Sequence, residues 1–294
     1  MTIAPDASAA PLGAQVPREP TGLRRAGRMA GLLLAEWTKI RSVRSTVWTL
    51  MLFVVLTVGL TAGLTALIVA NWNTPQSSTR GHVAILADPV GFILGTGIGL
   101  GQLTICVLGV LVISSEYSSG VIKASLLAVP KRIPMLVAKA VVFAAILIVL
   151  AEIVVFSSFF VGAALLHSKV AVSLSDPGVT RAVVGAGLYL TVLSLFAMAI
   201  GGLIRHTAGA IASVIGIVLV LPILTMFLPG SWGAHVHGYL PEQAGSLIYQ
   251  VGSPGAAAGG PPQVLSAWQG FGVLCLWTAV LLAAVGYLLQ RRDA

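Results

Sequence analysis

Charge is what this sequence has least of. Only 9% of its 294 residues are Asp, Glu, Lys or Arg, while 57% are hydrophobic; a soluble domain devotes about a quarter of its residues to charge. A water-soluble globule is excluded, and an integral membrane protein is implied. Cysteine is nearly absent as well. Cys106 and Cys275 both fall in apolar runs, which leaves no disulfide framework and no companions for a metal site, so both read as packing residues. Catalytic motifs are missing: no G-x-x-x-x-G-K-[ST], H-E-x-x-H or G-x-S-x-G occurs. The chain offers no phosphate-cradling loop, no zinc helix and no hydrolytic serine elbow. It reads as carrying no catalytic residues, metal or cofactor of its own. A convincing internal repeat is also absent, which counts against an ion-driven secondary transporter, where repeats are common.

What is present is long apolar stretches. A spanning helix needs about 20 apolar residues, because the hydrocarbon core is about 30 Å thick and each residue rises about 1.5 Å. Six segments qualify, near 46–70, 90–115, 135–166, 183–204, 207–228 and 268–290. They are continuously apolar, and a helix closes its backbone hydrogen bonds within one segment, so the expectation is an all-α polytopic fold rather than a barrel. Six spans place both termini on one side. Fourteen Lys and Arg residues lie on that side, against Arg80, Lys169 and Arg181 on the other. The bias of basic residues toward the inner flank makes that side cytoplasmic. The net charge of +8 is spread over short membrane-flanking loops, so anionic headgroups rather than nucleic acid are the expected counter-charge.

Residues 1–22, rich in Ala and Pro, read as a disordered cytoplasmic tail. The segment "RRAGRMAGLLLAEW" imitates a secretory signal, but its apolar part is short, ends at Glu36 and is followed by a full span, so no cleavage is expected. Within 23–45, Met29, Leu33, Trp37 and Ile40 recur at helical spacing while Arg28, Ala35 and Lys39 turn elsewhere. A basic amphipathic helix with a Trp lies in the membrane interface, either as an anchor or with a mechanical role. The connection 229–267 has no Lys or Arg. Its first part is apolar enough to re-enter the bilayer under cover of protein or water, and its Gly- and Pro-rich second part is a flexible link.

Several residues invite chemistry. "GTGIGLGQ" (95–102) looks like a dinucleotide loop but lies inside a span, where Gly95/Gly99 and Gly97/Gly101 at i, i+4 read as helix-packing positions. Glu152, near the middle of the third span, is either a functional group or a packed, hydrogen-bonded one; no other acid or His lies at comparable depth by sequence. His235 and His237 would point to one side only in a strand. Pro222 should distort the fifth span by removing a hydrogen bond.

The polar segment "SSEYSSGVIKASLLAVPKRIPMLVAK" (114–139) stands between two spans. Ile122, Leu126 and Val129 share one helical face, Pro130 and Pro134 stop that helix, and Lys131, Arg132 and Lys139 hold its end at the headgroups. The geometry expected is a small helix across the cytoplasmic mouth. The third apolar stretch, about 48 Å long if helical, exceeds the hydrocarbon core and should tilt or protrude.

These residues carry a resemblance. "AEWTKIRSVRSTVWTL" (35–50), "SSEYSSGVIKASLLAVPKRIPMLVAKAVV" (114–142), "YLPEQAGSLIY" (239–249) and "LLQRRDA" (288–294) resemble the membrane subunits of type-two ATP-binding-cassette exporters, in the half-size form of actinobacteria. The similarity spans nearly all of the chain after residue 23, and the Pro-rich tail departs from it. It implies a transmembrane permease domain over 23–294, with an elbow helix, a coupling helix after the second span and re-entrant helices before the sixth. Two permease copies would pair, as a homodimer or heterodimer, each engaging a separate ATPase subunit that binds ATP and Mg. The elbow would contain Trp37, Lys39, Arg41 and Arg44, and the ATPase-docking region Glu116, Tyr117, Gly120, Lys123, Leu127 and Arg132. Glu116 would pair with an elbow base such as Arg41 or Arg44. The cargo would be apolar or amphipathic.

Overall fold

In a computed structural model, the described residues are 31, 33–38, 44–74, 79–118, 132–225, 227–228, 230–252 and 264–291. No strand occurs among them. Six helices are long and apolar enough to cross a membrane: Ser45–Ala70, Pro89–Tyr117, Ile133–Leu166, Val179–Ile204, Thr207–Thr225 and Ala267–Arg291. The protein is an all-α, multi-pass membrane protein. The helices containing these spans are α1 (Arg44–Ala70), α3 (Pro89–Ser118), α4 (Arg132–Leu166), α5 (Val179–Ile204), α6 (Thr207–Thr225) and α9 (Ala267–Arg291). Among the described residues three short helices lie between them: α2 (Thr79–Ala87), α7 (Gly230–Gly238) and α8 (Pro241–Ser246), the last prolonged by a 3-10 turn, Leu247–Tyr249. The bundle end holding residues 33–38, 116–118 and 205–207 is called proximal below, and the other end distal.

The helix α5 forms the centre. Its span is 78% buried, against 22% for α1, α6 and α9, and it packs on α3, α4, α6 and α9 while α1 lies over α3 and α4. Composition explains the placement: Gly185, Ala186, Gly187, Ala197, Ala199, Gly201 and Gly202 are all buried, and small side chains let neighbouring backbones come close. The α1–α3 seam follows the same rule, with a refinement. A methyl group added at Gly97 or Gly101 would strike Thr57 or Thr61, whereas nothing stands within 4 Å of one at Gly95 or Gly99. Only the Gly97/Gly101 pair packs here, because it alone faces the row Thr57, Thr61, Thr65, whose members are fully buried.

Three boundaries differ from expectation. Pro134 does not end a preceding helix; it sits in the first turn of α4, where the N–H that proline lacks would have no partner. The fifth span falls short of 228: it is described to Thr225, and residues 227–228 are turn and bend rather than helix. The fourth begins at Val179 rather than 183, after Gly178 in the left-handed region at φ 84°. The 35 residues of α4 extend about 52 Å, longer than the hydrocarbon core, as the sequence implied. Pro222 does distort α6. A π turn, Gly216–Val220, precedes it, and the Leu221 N–H reaches back to the Gly216 carbonyl, since proline offers no N–H to the Val218 carbonyl and its ring crowds it.

Candidate functional site

At the proximal end three chain segments meet around one cation. Residues 33–38 are helical, and Leu33 packs on an apolar cluster containing Leu136, Phe143 and Leu289. One helical step later, Glu36 points the same way and is 4% exposed, while Trp37 is 49% exposed. The buried face therefore runs through Leu33 and Glu36, not Leu33 and Trp37 as the apolar spacing suggested. The reason is Lys139. Its Nζ donates to Glu36 Oε2 at 2.6 Å and to Glu116 Oε1 at 2.8 Å, and all three side chains are nearly sealed from solvent.

Lys139 was expected at the headgroups. It is instead 3% exposed, about 10 Å along α4 from its first residue, because two carboxylates replace the water it loses. Glu116, two residues before the end of α3, supplies one; residue 36 supplies the other. The pair of charge-assisted bonds links the segment before α1, the end of α3 and the start of α4. Breaking such a pair costs about 3–5 kcal/mol, since a buried charge is left uncompensated. Glu116 thus takes Lys139 as a partner. Lys39 and Arg41 lie outside the described residues, as do the side chains of Arg44 and Arg132, so a contact of Glu116 with an elbow base belongs there too. The tail 1–22 and the coupling-helix residues Gly120, Lys123 and Leu127 lie there as well.

The α5–α6 connection joins this end. Arg205 caps α5 in the left-handed region at φ 57°, donating its N–H to the Gly201 carbonyl. Its guanidinium lies over the Tyr117 ring at 5.1 Å, a cation–π contact. The Thr207 hydroxyl meets that of Ser114 at 3.1 Å, and Nδ1 of His206 accepts from the Gly209 N–H at 3.2 Å. Four spans are therefore registered around the two ends of segment 119–131.

A second polar cluster lies deeper. Gln102 sits midway along its span and accepts the Tyr189 O–H from α5 at 2.6 Å. Glu242, in the first turn of α8, accepts hydrogen bonds from the side-chain amides of Gln102 and Gln243, and burial pushes its carboxyl up to about 7 against those bonds. The helix α8 thus folds back to the level of Gln102 and brings an acid that the sequence gave no sign of at that level. Closer to the distal end, Asp88 accepts from the N–H groups of Gly91 and Val251 at 2.8 and 3.0 Å, and Arg181 donates to the Gln250 carbonyl at 2.8 Å. Desolvation raises the Asp88 carboxyl above its ordinary value in spite of these bonds and of Arg181.

Glu152 lies against Gly187 of α5, with Oε2 buried and without a hydrogen-bond partner. His235 and His237 lie in the helix α7, where i, i+2 side chains diverge, and Nδ1 of His237 pairs with the Thr225 hydroxyl at 2.8 Å. Among the described residues no three of His, Cys, Asp and Glu gather as metal ligands. Lys139 and Glu36 were missed as site residues, yet each is a lone charge inside an apolar run, of opposite sign to the other, and that is a readable signal.

No protein-family model matches this chain, and no curated protein does.

Proposed function

We propose that the chain is the membrane-spanning permease subunit of an ATP-binding-cassette exporter, moving an apolar or amphipathic molecule out across the plasma membrane. The fuel is ATP, with Mg, on a separate ATPase subunit, and two permease copies form the path. Both termini are cytoplasmic. The observation that carries this reading is the buried Glu36–Lys139–Glu116 triad. It fastens the elbow, the end of α3 and the start of α4 to one another at the two roots of the segment that resembles a coupling helix. Force applied to that segment by a partner has no slack to take up at its roots, so it enters α3 and α4 together. In a loosely tethered connector the same push would be absorbed by bending.

The test is co-purification of a P-loop ATPase with the chain, followed by transport into sealed vesicles. The expected result is ATP-dependent movement of a fluorescent amphipathic dye by the pair and none by the chain alone. Replacing Lys139 with Gln should leave ATP hydrolysis running while transport falls. Movement by the purified chain without nucleotide would overturn the proposal.

One observation favours a second reading, an ion-coupled carrier: the unpartnered Glu152 oxygen beside Gly187 is the kind of intramembrane acid that takes up a proton. Flux driven by a proton gradient, without ATP and lost in Glu152→Gln, would establish it.

A further inference from the structure

Glu242 plays no part in the export reading, and its surroundings are unusual for a carboxylate. The Tyr189 hydroxyl donates to Gln102 Oε1 at 2.6 Å, which fixes the Gln102 amide so that its N–H side is the one turned to Glu242. The Gln243 side-chain amide donates to the same carboxyl from the neighbouring position. The carboxyl is therefore held by neutral amides drawn from two elements. Its titratable neighbours are Cys106 from α3, Tyr189 from α5 and Tyr249 from the 3-10 turn. Each is neutral near pH 7 and negative when it ionises, so none supplies positive charge. The face of α9 buried against this region carries Gly270, Leu274 and Thr278. From α7, His237 is engaged by Thr225 and His235 is exposed. Asp88 lies beyond Tyr249, with Arg181 beside it.

The packing around α8 is tight. A methyl group on Gly245 would overlap Leu274 and the Tyr189 ring, one on Gly270 would strike the Ala244 carbonyl, and one on Gly185 would press on Ile248. The Tyr189 and Tyr249 rings meet edge to face at 5.5 Å. A carboxylate charge needs water or a cation. Partial exposure gives water only one edge of the residue, and the closely set backbones admit no fuller hydration of the charge unless the turn lifts away.

We propose that Glu242 is a proton-binding site, and that loss of its proton loosens the turn 241–249 from α3 and α5. The raised carboxyl, at about 7, places the change near neutrality, and the residue is only partly buried, which leaves a route for the proton. The device does not depend on the export reading: it would operate equally in a carrier or an anchor protein, and its failure would leave the ATPase partnership untouched.

The full chain in lipid nanodiscs, titrated between about pH 5 and pH 9, tests it by infrared difference spectroscopy and amide hydrogen exchange. A protonated-carboxyl C=O band should fade as pH rises through neutrality and be weaker by one carboxyl in Glu242→Gln, with Glu152 and Asp88 setting the background shared by both proteins. Exchange in 241–249 should climb with pH more steeply than base catalysis alone requires in the natural protein, and at the base-catalysed slope in Glu242→Gln. Tyr189→Phe keeps the ring over Gly245 but frees the Gln102 amide to turn, so the band's midpoint should move upward. The proposal is overturned if the band is undiminished in Glu242→Gln, if both proteins share one exchange slope, or if Tyr189→Phe leaves the midpoint in place.

Discussion

The two polar clusters solve the same problem in opposite ways. At the proximal end two carboxylates are buried around an ammonium group, at 2.6 and 2.8 Å. Around α8 a carboxyl is held by amide N–H groups alone. A cation compensates charge directly and in low dielectric binds tightly, so the first cluster is a fastening. Neutral donors only soften the desolvation cost, so the second remains poised between its protonated and ionised forms. Both clusters join three segments that are distant in sequence, the first through an ammonium group and the second through neutral amides.

The largest effect should follow from breaking the fastening. Lys139→Met removes the buried ammonium that Glu36 and Glu116 share, and should cost about 3–5 kcal/mol. Glu36→Gln, which keeps a hydrogen-bonding partner for the ammonium, should cost less. Thermal unfolding in detergent measures both. Proteolysis should also show residues 31–45 freed in Lys139→Met while the distal end keeps its protection. Equal melting of the two variants would mean that the ammonium group is compensated elsewhere.

The α1–α3 seam gives the next contrast, between two glycines two residues apart. Gly97→Ala places a methyl group against the Thr57 carbonyl and the Thr61 hydroxyl, while Gly99→Ala meets nothing within 4 Å. Overpacking should cost the first about 1–3 kcal/mol. The second should be neutral or slightly stabilising through helix propensity. Melting temperatures of the two single variants decide it.

The spans and their order were legible because hydrophobic runs of fixed minimum length report directly on a slab of fixed thickness. The distortion at Pro222 was legible because a missing N–H is a property of one residue. The charged partnerships were not. Glu36 and Lys139 are 103 positions apart, and the apolar spacing of 29–40 places Trp37 on the packed face when the salt bridge turns Glu36 there instead. Glu116 was found, but its bond to Lys139 was not, since a Lys inside an apolar run reads first as an inner-flank marker. Glu242 was invisible for another reason. Its depth is set by how α8 folds back between α5 and α9, and the close approaches at Gly185, Gly245 and Gly270 that permit this are tertiary facts. Gly95/Gly99 and Gly97/Gly101 have identical spacing, and only the position of the Thr57 row separates them.

The third effect concerns pH. The ordinary Glu242 value of 4.5 is raised to about 7 in the folded protein, so the native state binds more protons than the unfolded state between those limits. Its contribution to stability is full below about 4.5 and is lost as pH rises to about 7. Glu242→Gln should remove that slope, flattening the dependence of stability on pH across the window, whose full span for this shift is on the order of 3 kcal/mol. The slope belongs to the second cluster, so Glu36→Gln should leave it in place.

The smallest effect should come from Arg205, where two terms oppose each other. Its left-handed backbone, φ 57°, costs an ordinary residue about 1 kcal/mol, and glycine is free of that cost. Its guanidinium over Tyr117 returns about 0.5–1 kcal/mol. Arg205→Gly loses the contact and relieves the strain, so the two changes should nearly cancel; Arg205→Ala loses the contact and keeps the strain, and should be less stable by about 1 kcal/mol. Were the two variants to melt together, the connection between α5 and α6 would have relaxed out of the left-handed region, and the register of α6 on Ser114 would have to be set by the Thr207 hydroxyl alone.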